Sequence, residues 1–264
     1  MNLGLHGKLA VVTGSTAGIG FAIAAALAAE GARVVINGRT QARVDAALER
    51  LRKQNRSAEF IGVAADLGTV PGVETLLKEV PGADILINNL GIFEVKPFLE
   101  IPDADWLRFF EVNVLSGVRL SRHYLPLMLK KNWGRIIFIS SESSQQIPVE
   151  MVHYGMTKTA QVSIASGIAR SVAGTGVTVN SVLAGPTASE GAGNFVKEMA
   201  LRRGVSAAEI EKEFFSTARP TSLLKRFETP EEVAAVVTFV AGTQSGIING
   251  AAVRAEGGVV QSIF

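Results

Sequence analysis

Seven short runs of apolar, largely β-branched residues recur along the chain and are separated by segments with helical spacing. The runs lie at 9–12, 34–36, 60–63, 85–87, 136–139, 177–182 and 251–254. They are almost unbroken apolar stretches, as expected of strands that are covered on both faces. Short strands that alternate with helices indicate βαβ units wound into a parallel sheet. The pattern therefore predicts a doubly wound α/β fold with a seven-stranded parallel sheet flanked by helices.

The composition favours a single domain over residues 1–264. Hydrophobic residues make up 47% of the sequence and charged residues 19%, which is enough apolar surface for a substantial core. No linker rich in Pro, Gly or Ser divides the chain. The longest departure from the strand and helix rhythm is 186–227, which follows a predicted strand end and is interpreted as a substrate lid. Thr229-Pro230-Glu231-Glu232 then predicts a helix start, with the helix running to about Ala241.

Several classes of function are disfavoured by what the sequence contains. The chain has no cysteine, which excludes disulfides, thiolate nucleophiles and iron–sulfur clusters. Its formal net charge of +2 comes without a basic run, so no nucleic-acid partner is expected. The apolar stretches are far shorter than the ~20 residues that cross a bilayer, and no signal peptide is recognised at the start. We expect no membrane association and a cytoplasmic protein. The three scattered histidines predict no metal site.

A glycine-rich loop follows the first predicted strand. Gly14, Gly18 and Gly20 frame Ser15 and Thr16 and open a helix near Ile19. Without side chains the backbone can approach a pyrophosphate, which the N–H groups and the dipole of a helix N-terminus stabilise. A purely structural turn is the alternative, but the strand and helix context favours a dinucleotide-binding loop.

The residues after the second predicted strand bear on the choice of dinucleotide. An NAD site commonly places an acid here against the ribose 2′-hydroxyl, whereas an NADP site uses a cation against the 2′-phosphate. Asn37-Gly38-Arg39 contains no acid. Arg39 therefore favours NADP(H), with Asn37 as an accessory hydrogen-bond donor. NAD(H) stays possible if Arg39 is an ordinary solvent-exposed side chain.

Three polar residues in the second half of the chain suggest acid–base chemistry. Tyr154 and Lys158 are four residues apart, and Ser141 lies thirteen positions before the tyrosine. On a helix, a spacing of four places Lys158 one turn from Tyr154 on the same face. A cation there favours the phenolate, so we expect a lowered pKa for Tyr154 and a role as general acid and base.

Together these motifs resemble the classical short-chain dehydrogenase/reductase family over essentially the whole chain. Thr13 to Gly20 is similar to the family's TGxxxGxG loop, and Asn88-Asn89-Leu90-Gly91 resembles its NNAG segment. The resemblance implies a Rossmann fold and a catalytic set of Asn113, Ser141, Tyr154 and Lys158. It also implies further cofactor contacts from Asp66, Leu67, Asn89, Gly91, Tyr154, Lys158, the Thr187 backbone and the Ser189 side chain.

The resemblance further implies how the catalytic residues divide the work. Tyr154 would exchange a proton with the substrate oxygen while hydride moves between the nicotinamide and the substrate carbon. Ser141 would polarise that oxygen, and Lys158 would bind the nicotinamide ribose. The Asn113 backbone would hold a water that passes protons to Lys158. Three positions depart from the family pattern: Leu90, Ala184 and Glu256.

The alternative to an enzyme is a dinucleotide-binding regulator that turns nothing over. The complete catalytic set argues against it, and we expect an NADP(H)-dependent oxidoreductase of carbonyl and secondary alcohol substrates. The sequence does not choose between steroid, sugar, acyl and small-ketone substrates. The apolar residues that are expected either to line the cleft or to pack against one another are Phe93, Val95, Ile147, Val149, Met151, Phe195 and Met199. The family resemblance also implies a homotetramer, or a homodimer, built on helices at 106–132 and 154–173.

Overall fold

The computed structural model describes residues 2–189, 193 and 199–263. Within them, seven strands form one sheet in the order β3-β2-β1-β4-β5-β6-β7, and each neighbouring pair is parallel. The predicted doubly wound Rossmann fold with a seven-stranded parallel sheet is confirmed. The strands are β1 (Leu9–Val12), β2 (Arg33–Gly38), β3 (Phe60–Ala64), β4 (Ile85–Asn88), β5 (Gly134–Ser141), β6 (Val177–Ala184) and β7 (Ala252–Ala255).

Helices cover both faces of this sheet. They are α1 (Gly18–Ala29), α2 (Gln41–Gln54), α3 (Val70–Glu79), α4 (Asp103–Phe110), α5 (Ser116–Lys131), α6 (Val152–Ser171), α7 (Ala207–Thr217) and α8 (Pro230–Ala241). Within the described ranges, none of the helices is long and apolar enough to cross a membrane. Helix α8 has the bounds that the sequence predicts. Its start is fixed by a reciprocal capping box between Thr229 and Glu232.

Two hydrophobic cores lie on opposite faces of the sheet. In β1, Ala10 and Val12 belong to the core that includes α1 and α8, whereas Val11 belongs to the core that includes α5 and α6. All three residues are fully buried. Burial on both faces explains why the strands are unbroken apolar runs and do not alternate with polar residues.

Several strands are longer than their apolar runs predict. Strand β4 continues to Asn88, β5 to Ser141 and β6 to Ala184. In β4 and β5 the residues added at the end are polar and buried, so hydrophobicity alone stops these two predicted strands too early. Strand β6 gains two buried apolar residues, Leu183 and Ala184. These extra residues bring the carboxyl ends of the strands to the crevice that opens where the strand order reverses between β1 and β4, the usual ligand site in such sheets.

The helix expected at 106–132 is not regular. Helix α4 passes into α5 through a π-helical turn, Glu111–Leu115, which contains Asn113. Turns of this type occur often at functional sites. The helix expected at 154–173 is α6, which starts two residues earlier, at Val152. Of the predicted lid, residues 190–192 and 194–198, including Phe195, lie outside the described residues.

Candidate active site

The glycine loop joins β1 to α1 in a conformation that requires glycine. Gly14 and Gly18 have φ angles of 59° and 56°, in the left-handed region that other residues rarely adopt. At Gly20, a Cβ atom would lie 2.5 Å from Asn89 Nδ2 and 2.6 Å from the Gly14 carbonyl oxygen. Any larger residue at these positions would displace the loop.

The start of α1 fits the anionic part of a dinucleotide. Its N-cap residue, Ala17, offers no capping side chain, and the first turn contains no acidic residue. The first N–H groups of a helix without such a cap are free to bind an anion. Thr16 and Ile19 are partly exposed beside this terminus. Ser15 is buried and donates to the Val12 carbonyl at 2.7 Å, so it supports the loop from below.

Asn37 has a different role from the one predicted. Its amide donates to the Val63 and Ala65 carbonyls at 3.2 and 3.0 Å and accepts from Gly14 N at 3.2 Å. Both amide protons are therefore committed to the protein, and Asn37 fixes the glycine loop to β3 and cannot serve as a free donor to a phosphate. Arg39, in contrast, is exposed one residue beyond β2.

Two of the predicted cofactor contacts, Asp66 and Leu67, follow β3. Asp66 is exposed, and its carboxylate accepts from Gly68 N at 3.1 Å. The Leu67 side chain is 1% exposed and belongs to the core. The Leu67 side chain is therefore not accessible to a ligand in this structure.

The segment after β4 joins the glycine loop to the catalytic residues. Asn89 Nδ2 donates to the Thr13 and Gly14 carbonyls at 2.9 and 3.1 Å. Two positions further on, a Cβ atom on Gly91 would lie 3.6 Å from Lys158 Nζ. The predicted cofactor loop and the predicted catalytic lysine thus border one crevice.

Tyr154 and Lys158 lie side by side on α6, as their spacing predicts. Lys158 Nζ is 5.5 Å from the centre of the Tyr154 ring. The tyrosine is partly exposed, whereas the lysine is 5% exposed. The exposed Phe93 packs edge-on against the Tyr154 ring, with 6.5 Å between the ring centres.

A residue that the sequence analysis missed connects Lys158 to Asn113. Lys158 Nζ donates to Gln161 Oε1 at 3.2 Å and to the Ile139 carbonyl at 2.8 Å. Gln161 Nε2 in turn donates to the Asn113 carbonyl at 2.6 Å. The Gln161 amide therefore makes the link that the family resemblance assigned to a water. Its spacing of three from Lys158, on a buried helix face, was the available signal.

The side chain of Asn113 holds the π-helical turn in place. Its Oδ1 atom accepts from Ile92 N at 2.8 Å, and its Nδ2 atom donates to the Ile92 carbonyl and to Thr157 Oγ1, both at 3.0 Å. All of its polar groups are satisfied inside the protein. Asn113 therefore presents its backbone carbonyl to Gln161 from a fixed position.

Ser141 ends β5 and faces a second group that the sequence analysis missed. Its hydroxyl donates to Glu142 Oε2 and accepts from Ser143 N at 3.1 Å. The guanidinium of Arg219 donates to Glu142 Oε1 at 2.9 Å and to Glu150 Oε1 at 3.0 Å. No sequence pattern connects Glu142 with Arg219, because they are 77 positions apart.

The electrostatics of the site differ from the expectation for Tyr154. Its pKa is raised, first by desolvation of the phenol and then by the charge of Glu142, while a hydrogen bond with Ser141 and the charge of Arg219 act in the opposite direction. The prediction of a lowered pKa is therefore wrong for this structure, since burial outweighs the effect of nearby cations. Burial lowers the pKa of Lys158 to about 8, although Glu142 opposes the shift.

The start of the predicted lid reaches the glycine loop. Thr187 pairs with Glu228 in an isolated parallel bridge, and Ala188 N donates to the Glu228 carbonyl at 2.8 Å. A Cβ atom on Gly18 would lie 3.3 Å from Ser189 Cβ. Thr187 and Ser189 are thus placed at the mouth of the crevice, beside the start of α1.

His153 does not line the cleft. It is fully buried, and its ring packs 4.0 Å from the ring centre of Phe109 and 6.0 Å from that of Trp106. Burial lowers the pKa of its imidazole. Across the described part of the chain, no three His, Asp or Glu side chains are grouped so that they could hold a metal ion.

Comparisons with known proteins agree with this geometry. A family model described as "short chain dehydrogenase" matches residues 8–200. Over the full length of both chains, the sequence is 48% identical to the uncharacterized oxidoreductase YvaG of Bacillus subtilis. It is 31% identical to D-beta-hydroxybutyrate dehydrogenase of Cupriavidus necator, over 97% of this chain and 99% of that protein. The L-sorbose reductase of Gluconobacter frateurii, solved with NADPH and L-sorbose, superimposes with a TM-score of 0.92 at 30% identity and full coverage of both chains.

Proposed function

Because the chain belongs to the short-chain dehydrogenase/reductase family of oxidoreductases, we propose that it transfers hydride between NADP(H) and a carbonyl or secondary alcohol. Tyr154 is the general acid and base in this proposal. The observation that carries it is the position of Tyr154 and Lys158, side by side at the edge of the crevice that the glycine loop also borders.

In this proposal the crevice residues divide between cofactor and substrate. The glycine loop and the start of α1 hold the pyrophosphate, Lys158 binds the nicotinamide ribose, and the Thr187 backbone and Ser189 side chain hold the carboxamide. The bound nicotinamide supplies or accepts hydride. Tyr154 donates the proton to the substrate oxygen in reduction and accepts it in oxidation, while Ser141 donates a hydrogen bond to the same oxygen.

The raised pKa of Tyr154 makes the two directions of the proposed reaction depend differently on pH. A phenol with a raised pKa keeps its proton near neutral pH and is ready to donate it to a carbonyl oxygen. Oxidation needs the phenolate, which burial and Glu142 make less available. We therefore propose that alcohol oxidation becomes faster as the pH rises above neutral.

NADP(H) is the proposed cofactor because a cation, Arg39, directly follows β2 and no acid occurs from Asn37 to Arg39. The L-sorbose reductase similar to this chain was solved with NADPH. Substitution of Arg39 by Gln should raise the KM for NADPH about ten- to hundredfold and leave that for NADH nearly unchanged, since only NADPH carries the 2′-phosphate. Equal effects on both cofactors would assign Arg39 no role in the choice.

The test of the proposed function is a turnover screen with NADPH and NADH. The substrates are a ketose, a 3-oxoacyl ester, a steroid ketone and a small ketone, and Tyr154→Phe is the control. We expect NADPH oxidation with at least one carbonyl and loss of turnover in Tyr154→Phe, which should still bind NADPH. NADPH binding without turnover of any substrate would favour the regulator, and near-normal activity of Tyr154→Phe would refute the assigned acid.

We propose a single catalytic domain that forms homotetramers, with the residues at 186–227 as its lid. Exposed apolar side chains on α4 and α5 support self-association, namely those of Leu107, Phe110 and Leu129. Sedimentation equilibrium should give four times the chain mass of 27.9 kDa. A monomer at micromolar concentration would refute the assembly without affecting the proposed chemistry.

A further inference from the structure

A buried carboxylate lies directly beside the catalytic serine. Glu142 follows Ser141 at the point where β5 turns into a short 3₁₀ helix, Glu142–Ser144. The residue is 4% exposed, and one of its carboxylate oxygens accepts the Ser141 hydroxyl proton. Burying a carboxylate is costly unless a charge partner and hydrogen bonds compensate it.

That partner is Arg219, which is 6% exposed and follows α7. Its Nε atom donates to Glu142 Oε1 at 2.9 Å, and its Nη1 atom donates to Glu150 Oε1 at 3.0 Å. The Glu150 carbonyl also accepts from Lys96 N at 3.0 Å. Arg219 therefore joins its own segment to those of Glu142 and Glu150, and Glu150 is in turn bonded to the segment of Lys96.

The Ser141 hydroxyl has a single proton, and two acceptors compete for it during catalysis. In the structure the proton is directed to Glu142, whereas a substrate oxygen that accumulates charge needs the same hydrogen bond. Pairing with a guanidinium makes a carboxylate a weaker acceptor, because part of its charge is neutralised. The strength of the Glu142–Arg219 pair therefore decides how firmly Ser141 is held away from the substrate.

We propose that Glu142 and Arg219 act as a positioning pair, in which Arg219 frees the Ser141 proton for the substrate oxygen by neutralising the carboxylate that otherwise holds it. The inference rests on the proposed function, in which Ser141 and Tyr154 act on that oxygen. Neither member of the pair needs to touch the substrate, since both act through Ser141 and through their charges.

The same two charges act on Tyr154 in opposite directions. Glu142 raises the pKa of the phenol and Arg219 lowers it. Glu142 also raises the pKa of Lys158. The titratable and charged groups around Glu142, from every element packed against it, are Glu150, Tyr154, Lys158, Arg219 and Glu228.

The test is the pH profile of alcohol oxidation in Glu142→Gln, Arg219→Gln and the double variant. Oxidation requires Tyr154 to accept a proton, so its rate rises with pH through an apparent midpoint. We expect Glu142→Gln to lower this midpoint and Arg219→Gln to raise it, each by about one pH unit. A purely structural role would reduce kcat in both variants without shifting the midpoints in opposite directions, and that result would overturn the proposal.

The double variant keeps the proposal testable if Arg219→Gln does not fold. Arg219→Gln leaves a buried carboxylate with less compensation, whereas the double variant leaves neither charge. We expect the midpoint of the double variant to lie above that of Glu142→Gln, because the lowering effect of Arg219 is then absent. Equal midpoints for the double variant and Glu142→Gln would show that the charge of Arg219 does not affect the proton equilibrium of Tyr154, and would overturn the proposal.

A readout without turnover separates this proposal from the proposed function. The chain has two tyrosines, Tyr124 and Tyr154, so carbon-13 labelling of the tyrosine rings gives two signals that Tyr154→Phe assigns. In Glu142→Gln the Tyr154 signal should begin to shift at a lower pH than in the wild type. That shift without carbonyl turnover would refute the proposed function alone, and turnover with an unchanged onset would refute the positioning pair alone.

Discussion

Tyr154 stands between two networks that hold its partners by different means. On one side, the amide network of Asn113, Lys158 and Gln161 joins the lysine to the π-helical turn through neutral dipoles. On the other side, the charged network of Glu142, Glu150 and Arg219 contacts Ser141 through the Glu142 carboxylate. Both networks are largely buried, so the difference between them is charge and not solvent exposure.

The difference shows that one network fixes the position of the Lys158 ammonium, whereas the other sets the acidity of Tyr154. Neutral acceptors orient the Lys158 ammonium without compensating its burial, so its pKa is lowered to about 8. The charged network, in contrast, changes the pKa of Tyr154 directly, with Glu142 and Arg219 acting in opposite senses. Loss of hydrogen bonds in the amide network should therefore alter rates, whereas a change of charge in either network should alter pH dependence.

The largest effect is expected from Lys158→Met, which removes the only charge of the amide network. The variant loses the ammonium beside Tyr154 and the proposed ribose contact, so kcat for carbonyl reduction should fall by about 10²- to 10³-fold. Steady-state kinetics with NADPH measures the loss. Lys158→Arg is the matched control, since it keeps the charge but not the shape. If Lys158→Met retained more than about a tenth of the activity, the ammonium would not take part in the reaction.

Gln161 provides the next test, with one variant that removes its hydrogen bonds and one that adds a charge. Gln161→Met removes both hydrogen bonds of the amide and should lower kcat roughly ten- to hundredfold, because the Lys158 ammonium is then no longer held in a fixed position. Gln161→Glu keeps an acceptor for Lys158 and adds a carboxylate, which should raise the pKa of the lysine above about 8.

The pH profile of reduction distinguishes the two Gln161 variants. Reductase activity falls at high pH as Lys158 loses its proton, and this fall should move to higher pH in Gln161→Glu alone. Wild-type kcat in both variants would mean that Gln161 only fills space between α6 and the π-helical turn.

What the sequence could predict is what local spacing controls. The glycine loop, the Tyr154 and Lys158 pair and the capped start of α8 each lie within one turn or one loop, where short-range geometry decides the outcome. The sheet was predictable because its strands are buried on both faces and carry continuous apolar runs. Gln161 could have been found by the same reasoning, as a polar residue that shares a helix face with Lys158.

The parts that sequence reasoning missed depend on tertiary contacts. Glu142 and Arg219 meet across 77 positions of chain, and no local pattern joins them. The sign of the Tyr154 pKa shift follows from burial, which spacing along a helix does not give. Asn37 lies at the predicted position, but its amide protons are used by the carbonyls of a neighbouring segment, which only the folded chain brings near.

The buried carboxyl of Glu228 is influenced by the charge of Glu142 and should make the stability of the protein depend on pH. Burial raises the pKa of its carboxyl to about 7, with further contributions from Glu142 and Glu256, although Gly185 N donates to it at 3.1 Å. The folded pKa lies above the ordinary value of 4.5, so the contribution of this group is complete below pH 4.5 and is lost as the pH rises through about 7.

Glu228→Gln mimics the protonated carboxyl and should remove this loss. We expect the variant to be more stable than the wild type by about 1–2 kcal/mol at about pH 8 and to match it near pH 4.5. Urea unfolding at the two pH values measures the difference. A variant that is stabilised equally at both values would place the effect in packing and not in the proton.

The smallest effect, and the sharpest control for the comparison, is expected from Thr229→Ala. Thr229 Oγ1 accepts from Glu232 N at 3.2 Å, and Glu232 Oε2 accepts from Thr229 N at 2.8 Å. Loss of this cap should lower the free energy of unfolding by about 1 kcal/mol, which urea unfolding measures.

The same variant is a control for the pH profiles, because it removes no charge. Thr229 lies next to Glu228, so the substitution loosens the start of α8 beside that carboxyl without changing the electrostatics there. Its midpoint for alcohol oxidation should therefore equal that of the wild type. A shifted midpoint would mean that loosening alone moves the proton equilibrium of Tyr154, and opposite shifts in the Glu142 and Arg219 variants would then no longer separate charge from position.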